Sequence, residues 1–226
     1  MKFTVNRPAF CEALKTVTAA AKSGSVTGAS GIYLYADASK RILELIGTDA
    51  ITSVVKRIRD ADISMSGEVI LPPVALEILR RTKAESISLE TDENGALSLS
   101  FGSARYLLVT KPANEFPKSE LVFPTAYVSV SGLLSLLKHA AFAAETKGDK
   151  RELQGVTLRL TPGISTAEAM NQKRMASAVN RNAADGETAM KLHISAVNIL
   201  FSLLSADKTV YAGTADQRAV FVCGDT

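Results

Sequence analysis

The 226-residue chain is short of nearly everything an active site requires. It has only two histidines, His139 and His193, and neither has a cysteine, an aspartate or the other histidine at ligand spacing. Its two cysteines, Cys11 and Cys223, lie far apart in apolar runs. That usage reads as two small hydrophobic residues in a reducing compartment, not a disulfide framework or a metal knuckle. Gly24, Gly28 and Gly31 do not make a G-x-x-x-x-G-K-[ST] loop, so no phosphate cradle is expected. Asp49 follows a strand and reads as a turn residue bonding its own backbone. No apolar run approaches the ~20 residues that cross a bilayer. The start of the chain, Met1-Lys2-Phe3-Thr4-Val5-Asn6-Arg7-Pro8, lacks the apolar core and cleavage site of a signal peptide. These absences predict a cytoplasmic protein with no cofactor, no metal and no catalytic constellation of its own.

What is present is repetition. With 46% hydrophobic residues, the chain can form two domains with real cores. The apolar run Gly67-Glu68-Val69-Ile70-Leu71 enters a helix, and two short strands then lead to Phe101-Gly102-Ser103. A second copy reads Gly186-Glu187-Thr188-Ala189-Met190-Lys191-Leu192-His193, then a helix, then strands to Cys223-Gly224-Asp225. A repeat of this length means two similar domains and not a solenoid. The expected division is a first domain at 1–111, a connector at 112–125 that is rich in proline, and a second domain at 126–226. The second copy lacks the strand that follows the glycine in the first, so the sequence is expected to be part of a longer protein.

Hydrophobic periodicity supplies the elements. In the first domain it predicts a strand at 2–6, a helix at 8–22 with Pro8 in its first turn, and strands at 31–36, 42–47 and 51–58. A helix at 72–81 and strands at 86–91, 96–101 and 105–110 follow, with Asn94-Gly95 as a hairpin turn. The second domain repeats the order: a strand at 126–130, a helix at 132–144, three strands within 153–179, a strand before His193, a helix at 195–204 and two final strands. The fold class is α+β, with two helices packed on one face of antiparallel sheet in each domain.

The outward helix faces carry the functional signal. Lys15 and Lys22 are seven residues apart, which places them within about 20° of each other around a helix. Both lie off the Phe10/Leu14/Val17 stripe. Arg80 and Arg81 are set opposite Val74, Ala75 and Ile78, and Lys138 lies off the Leu133/Leu137/Ala140 stripe, near Phe142. A short basic turn, Lys147-Gly148-Asp149-Lys150-Arg151, follows. One such face is usually just a solvated surface, whereas agreement across three helices points to a polyanion. The fourth helix departs from this, showing Asn198, Ser202 and Ser205 and no cation. No aromatic residues interleave with the basic ones, which argues against single-strand binding. His193, at a strand end beside a helix start, reads as a cap.

Several stretches resemble the bacterial sliding clamp family, the beta subunit of DNA polymerase III. They are Met1-Lys2-Phe3-Thr4-Val5, Leu45-Ile46-Gly47-Thr48-Asp49, residues 67–80, Phe101-Gly102-Ser103-Ala104-Arg105-Tyr106, and Phe142-Ala143 through Leu153-Gln154-Gly155. They occur in the family's order over nearly the whole chain. The resemblance implies tandem clamp domains, three per chain, with two chains closing into a ring around duplex DNA; here the first domain and most of the second would be present. It implies no enzyme activity, and as partners DNA without sequence preference, a replicative polymerase, a clamp loader and other clamp-binding peptides. A homodimeric ring would form from the longer chain, and a monomer or weak associate from this stretch.

The cations expected at DNA are Lys15, Lys22, Arg80, Lys138, Lys147, Lys150 and Arg151. The resemblance also implies a peptide pocket at Leu153 and along a strand over 170–175, with Met170, Gln172, Lys173, Arg174 and Met175. Where the family reads Thr-Asp-Gly-His-Arg-Leu, this chain keeps Arg174 behind Asn171, Gln172 and Lys173. Leu153 and Met175 read equally well as ordinary core. A clamp-like module that binds linear peptides without encircling DNA is the alternative function.

Overall fold

The computed structural model describes residues 1–21, 31–92, 95–117, 122–147, 149–181, 183–205 and 209–226. The chain forms two compact units, Met1–Ser119 with Asp225–Thr226, and Glu120–Gly224. Lys22, Gly24, Gly28, Asn94 and Gly148, named above, lie outside the described residues.

The first unit opens with β1 (Lys2–Asn6) and α1 (Arg7–Ala21). Asn6 stops the strand and caps the helix, its Oδ1 accepting from the Ala9 amide at 3.1 Å. Four antiparallel strands follow: β2 (Ile32–Asp37), β3 (Ile42–Thr48), β4 (Ser53–Ile58) and β5 (Ala61–Met65). Then come β6 (Gly67–Leu71), α2 (Val74–Arg81), β7 (Ser86–Thr91), β8 (Leu97–Phe101) and β9 (Ala104–Leu108). They make two sheets, β5-β1-β7-β8-β9 and β4-β3-β2-β6. Helix α1 lies on β3 and β4, and α2 packs beside it. Phe10, Leu14 and Val17 are fully buried under α1, so the stripe read from spacing faces the core. Gly47 lets the helix approach, because a Cβ there would sit 2.0 Å from the Val17 carbonyl oxygen.

The second unit has β10 (Val128–Val130), α3 (Leu133–Ala141), β11 (Gly155–Leu160), β12 (Ile164–Met170) and β13 (Met175–Arg181). It continues with β14 (Thr188–His193), α4 (Ile194–Leu203), β15 (Val210–Ala215) and β16 (Arg218–Val222). Its sheets are β13-β12-β11-β14 and β10-β15-β16. The first repeats the order of β4-β3-β2-β6 strand for strand. A single apolar core under α3 and α4 joins Val130, Leu137, Leu158, Val197 and Ala212. Both units are α+β, with paired helices packed on antiparallel sheet.

Three local expectations are corrected. Residues 61–65 form strand β5, which Asp62 and Ser64 disguise, since both types are depleted in strands; pairing with β1 outweighs that propensity. On α2 the core face is Ala75, Leu76 and Leu79, while Val74 is 46% exposed and Ile78 only half-buried. The Pro72-Pro73 pair causes this by starting the helix two residues late, with Val74 at an open first turn. Finally, 170–175 is not a strand. Met170 ends β12 and Met175 begins β13, and the four residues between them are a hairpin loop. The stretch expected as connector is also structured at its start, where Ala113 and Phe116 are buried against Tyr33, Ile46 and Ile70.

Candidate nucleic-acid interface

In the first unit, two of the expected cations, Lys15 and Arg80, lie on the packed helices α1 and α2. Lys15 lies one turn beyond Cys11 on α1, and both point off the buried stripe. Arg80 lies in the last turn of α2, close enough for its charge to act on the Cys11 thiol. Burial raises the Cys11 pKa above the ordinary thiol value; the charge and hydrogen bond of Arg7, and then the charge of Arg80, oppose that rise. Lys15 and Arg80 are both exposed, and neither forms an ion pair among the described residues. Arg80 and Arg81 also suit the negative end of the α2 dipole, so local helix stability favours placing them there.

In the second unit, Lys138 projects from α3, and Lys147, Lys150 and Arg151 follow the helix; all four are exposed. The 170–175 segment is held by an Asx turn, in which Asn171 Oδ1 accepts from the amides of Lys173 at 2.9 Å and Arg174 at 3.0 Å. Arg174 then reaches back to the end of α3. Its Nη2 donates to the Phe142 carbonyl at 2.6 Å, and its guanidinium lies 5.5 Å above the centre of the Phe142 ring.

That clasp forms one wall of a cavity of about 610 Å³. Lys138, Lys147, Gln172, Lys173 and Arg174 line it, so it draws residues from both expected sets. Leu153, Met170 and Met175 do not line it, nor do Lys150 and Arg151. Met170 and Met175 face each other across β12 and β13 and are 47% and 62% exposed, which excludes a core role for Met175. Leu153 is half-buried, its carbonyl accepting from the Glu145 amide at 2.9 Å.

Sequence reading missed Phe142 and Phe201 as wall residues, and Glu145, whose Oε2 is buried without a hydrogen-bond partner among the described residues. The signal for Phe142 was its spacing of four from Lys138. Phe201 lies on a helix with no cation, and only tertiary packing brings it near them.

Asp49 and His193 keep the structural roles assigned to them. Asp49 Oδ1 accepts from the amides of Ile51 at 3.0 Å and Thr52 at 2.6 Å, and His193 Nδ1 accepts from the Ser195 amide at 3.2 Å as the cap of α4. No group of three His, Cys, Asp or Glu side chains suited to a metal occurs among the described residues. No helix among them is long and apolar enough to cross a membrane.

A family model described as the DNA polymerase III beta subunit, N-terminal domain, matches residues 1–120, just over half of the chain. The chain belongs to this family. As a beta-subunit relative it is 30% identical over 158 residues to the beta sliding clamp of Synechococcus elongatus, a match covering 69% of this chain and 42% of that one. It is 26% identical over 180 residues to the Pseudomonas aeruginosa beta sliding clamp, covering 78% of this chain and 48% of that one. The chain therefore spans about half the length of the curated relatives it matches. In fold it resembles the DNA polymerase sliding clamp of Bacillus subtilis, with a TM-score of 0.91 at 18% identity, covering all of this chain and 62% of the other. A sliding clamp from Pseudomonas aeruginosa gives 0.89 at 22% identity with the same coverage. The beta-subunit fold thus covers both units.

Proposed function

We propose that this protein serves as a DNA sliding clamp, a processivity factor whose clamp units encircle duplex DNA and tether a replicative polymerase. The observation that carries the reading is the pairing of Lys15 and Arg80 on the exposed side of α1 and α2, in a fold that belongs to the beta subunit family. Lys138, Lys147, Lys150 and Arg151 add the same charge in the second unit. Long, solvated cations attract phosphates without fixing a register, which is what a protein must do to hold DNA and still slide. The protein itself carries out no covalent chemistry in this reading. It works in the cytoplasm, with the polymerase, a clamp loader and other linear peptides as its protein partners.

Topology provides the test. Loaded onto a nicked circular duplex, the full-length protein stays bound at moderate salt and is lost when the circle is cut. Retention that ignores the cut would reject encirclement. It would favour instead a clamp-like module that binds peptides without enclosing DNA, a reading to which the uncharged face of α4 and the Asn171-Gln172-Lys173 sequence lend support. Within the clamp reading, Lys15→Ala and Arg80→Ala each flatten the salt dependence of duplex binding by about one unit of slope.

A further inference from the structure

We propose that His139 on α3 is a phosphate contact that works only when its ring is protonated, so that the second unit holds duplex DNA more tightly as the pH falls. The inference rests on the clamp reading above, in which Lys138 beside it meets the duplex. To that surface it adds a further residue and a dependence on pH.

The hydrogen bonds of the ring carry the argument. His139 Nδ1 lies 2.7 Å from the Ser135 carbonyl oxygen and 3.3 Å from Ser135 Oγ. The carbonyl decides the tautomer, because it can only accept and two lone pairs would repel at that distance; Nδ1 therefore holds the proton and donates. The neutral ring is left with a bare lone pair on Nε2, which repels a phosphate oxygen. Nε2 has no partner among the described residues, and the side chain is exposed. Adding a proton there leaves the Ser135 bond intact and makes the same atom a charged donor, without any rotation of the ring. His193, the other histidine of the chain, is not free to do this. Its Nδ1 accepts from the Ser195 amide at 3.2 Å and its Nε2 lies 3.4 Å from Gln154 Oε1.

The surroundings supply no competing anion. Ser135, Lys138, His139 and Phe142 form one exposed arc of about 100° on α3. The cations near it are Lys138 and Arg174, the latter bonded to the Phe142 carbonyl. Arg159, Glu168 and Arg181, on the strands beneath α3, alternate with the inward Leu158, Ala167 and Ala178 and so occupy the opposite face of the sheet. Helix α4, which packs beside α3, carries no charged residue. Glu145 lines the cavity beyond the helix end, and His139 does not. His139 forms no ion pair among the described residues. A DNA phosphate is therefore the counter-charge that a protonated ring lacks, and duplex binding takes up a proton.

The test is duplex binding by fluorescence anisotropy at low salt, on the whole chain, at about pH 8 and about pH 5.5, either side of the range in which histidine changes charge. Acidification is expected to tighten binding about threefold and to steepen the log–log salt dependence by about one unit, as one added phosphate contact does. His139→Gln cannot change its charge; it should lose both effects and match the unaltered protein at the higher pH. His139→Lys, charged throughout, should bind at the higher pH as tightly as the unaltered protein does at the lower. The tautomer is read without DNA: proton–nitrogen NMR correlations of the His139 ring at the higher pH should place the proton on Nδ1.

A proton on Nε2, or an equal pH response in His139→Gln, would overturn the proposal and leave the circle-and-cut result standing. Absence of duplex binding at either pH would overturn it too, and would count against the clamp reading only if the circular duplex also failed to retain the full-length protein.

Discussion

The two units solve one folding problem with different surfaces. Sheet β4-β3-β2-β6 and sheet β13-β12-β11-β14 share their strand order, and the hairpin after β3 is rebuilt after β12. In the first unit Asp49 Oδ1 holds the amides of Ile51 and Thr52; in the second Asn171 Oδ1 holds those of Lys173 and Arg174. Each hairpin is closed by a backbone bond across the same span, Asp49 to Thr52 at 3.2 Å and Asn171 to Arg174 at 2.9 Å. Around β1 the units diverge. Strand β5 pairs with β1 over four residues, whereas its counterpart in the second unit is a single bridge between Val130 and Ala184. The hairpin loops carry different chemistry as well, an apolar Ile51 at 86% exposure against two cations. Backbone pairing and core packing are therefore what the repeat preserves, and loop side chains are where the units acquire separate roles.

The sharpest way to break this comparison is at the helix–sheet contact. Gly47 lies under α1 with no room for a side chain, whereas the matching position on β12 is Ala169, which is buried and accommodated. Gly47→Val therefore forces the Val17 backbone away and should cost about 3 kcal/mol, at the upper end for overpacking. Ala169→Gly should cost only about 1 kcal/mol through added chain entropy. Urea unfolding of the two variants measures the difference, and equal costs would mean that the units pack alike here after all.

A smaller effect separates the two Asx turns. Asp49 is buried, and its carboxylate serves two amides, so Asp49→Ala should cost about 2 kcal/mol by leaving both unsatisfied in a closed site. Asn171 is more open and neutral, so Asn171→Ala should cost about 1 kcal/mol. The second change should also free Arg174 from its place over Phe142. That loss of order is readable by NMR line widths of the Phe142 ring even if stability hardly moves.

Much of this was legible in the sequence because it is periodic or local. The α1 stripe of Phe10, Leu14 and Val17 follows the helix repeat, and the roles of Asp49 and His193 depend on amides two or three residues away. Strand β5 was missed because its evidence is a partner strand some sixty residues distant, not its own polar-spotted composition. The 170–175 hairpin was misread because family likeness conveys which residues cluster but not where a strand turns. The cavity was the least legible part. Its walls come from α3, the β12–β13 loop and α4, and no linear pattern sets Phe142 beside Lys173 or Phe201 beside Lys138. The same holds for Arg80 and Cys11, which only the packing of α2 against α1 brings within electrostatic reach.

That last pair gives the finest probe of how the first unit arranges its cations. Burial raises the Cys11 pKa and so holds the thiol protonated; Arg7 and then Arg80 favour the thiolate. Removing Arg80 takes away only the smallest of these influences, so the pKa rises a little further and the thiolate fraction at pH 8 falls. Alkylation of Cys11 by iodoacetamide, followed on its own peptide by mass spectrometry, should slow in Arg80→Ala, with its pH–rate profile displaced to higher pH. Added salt should act in the same direction in the unaltered protein and by less in the variant, where only the Arg7 charge remains to be screened. If salt and substitution instead acted independently, Arg80 would not be facing α1, and the cationic helix pair that separates the first unit from the second would have to be redrawn around Arg7 alone.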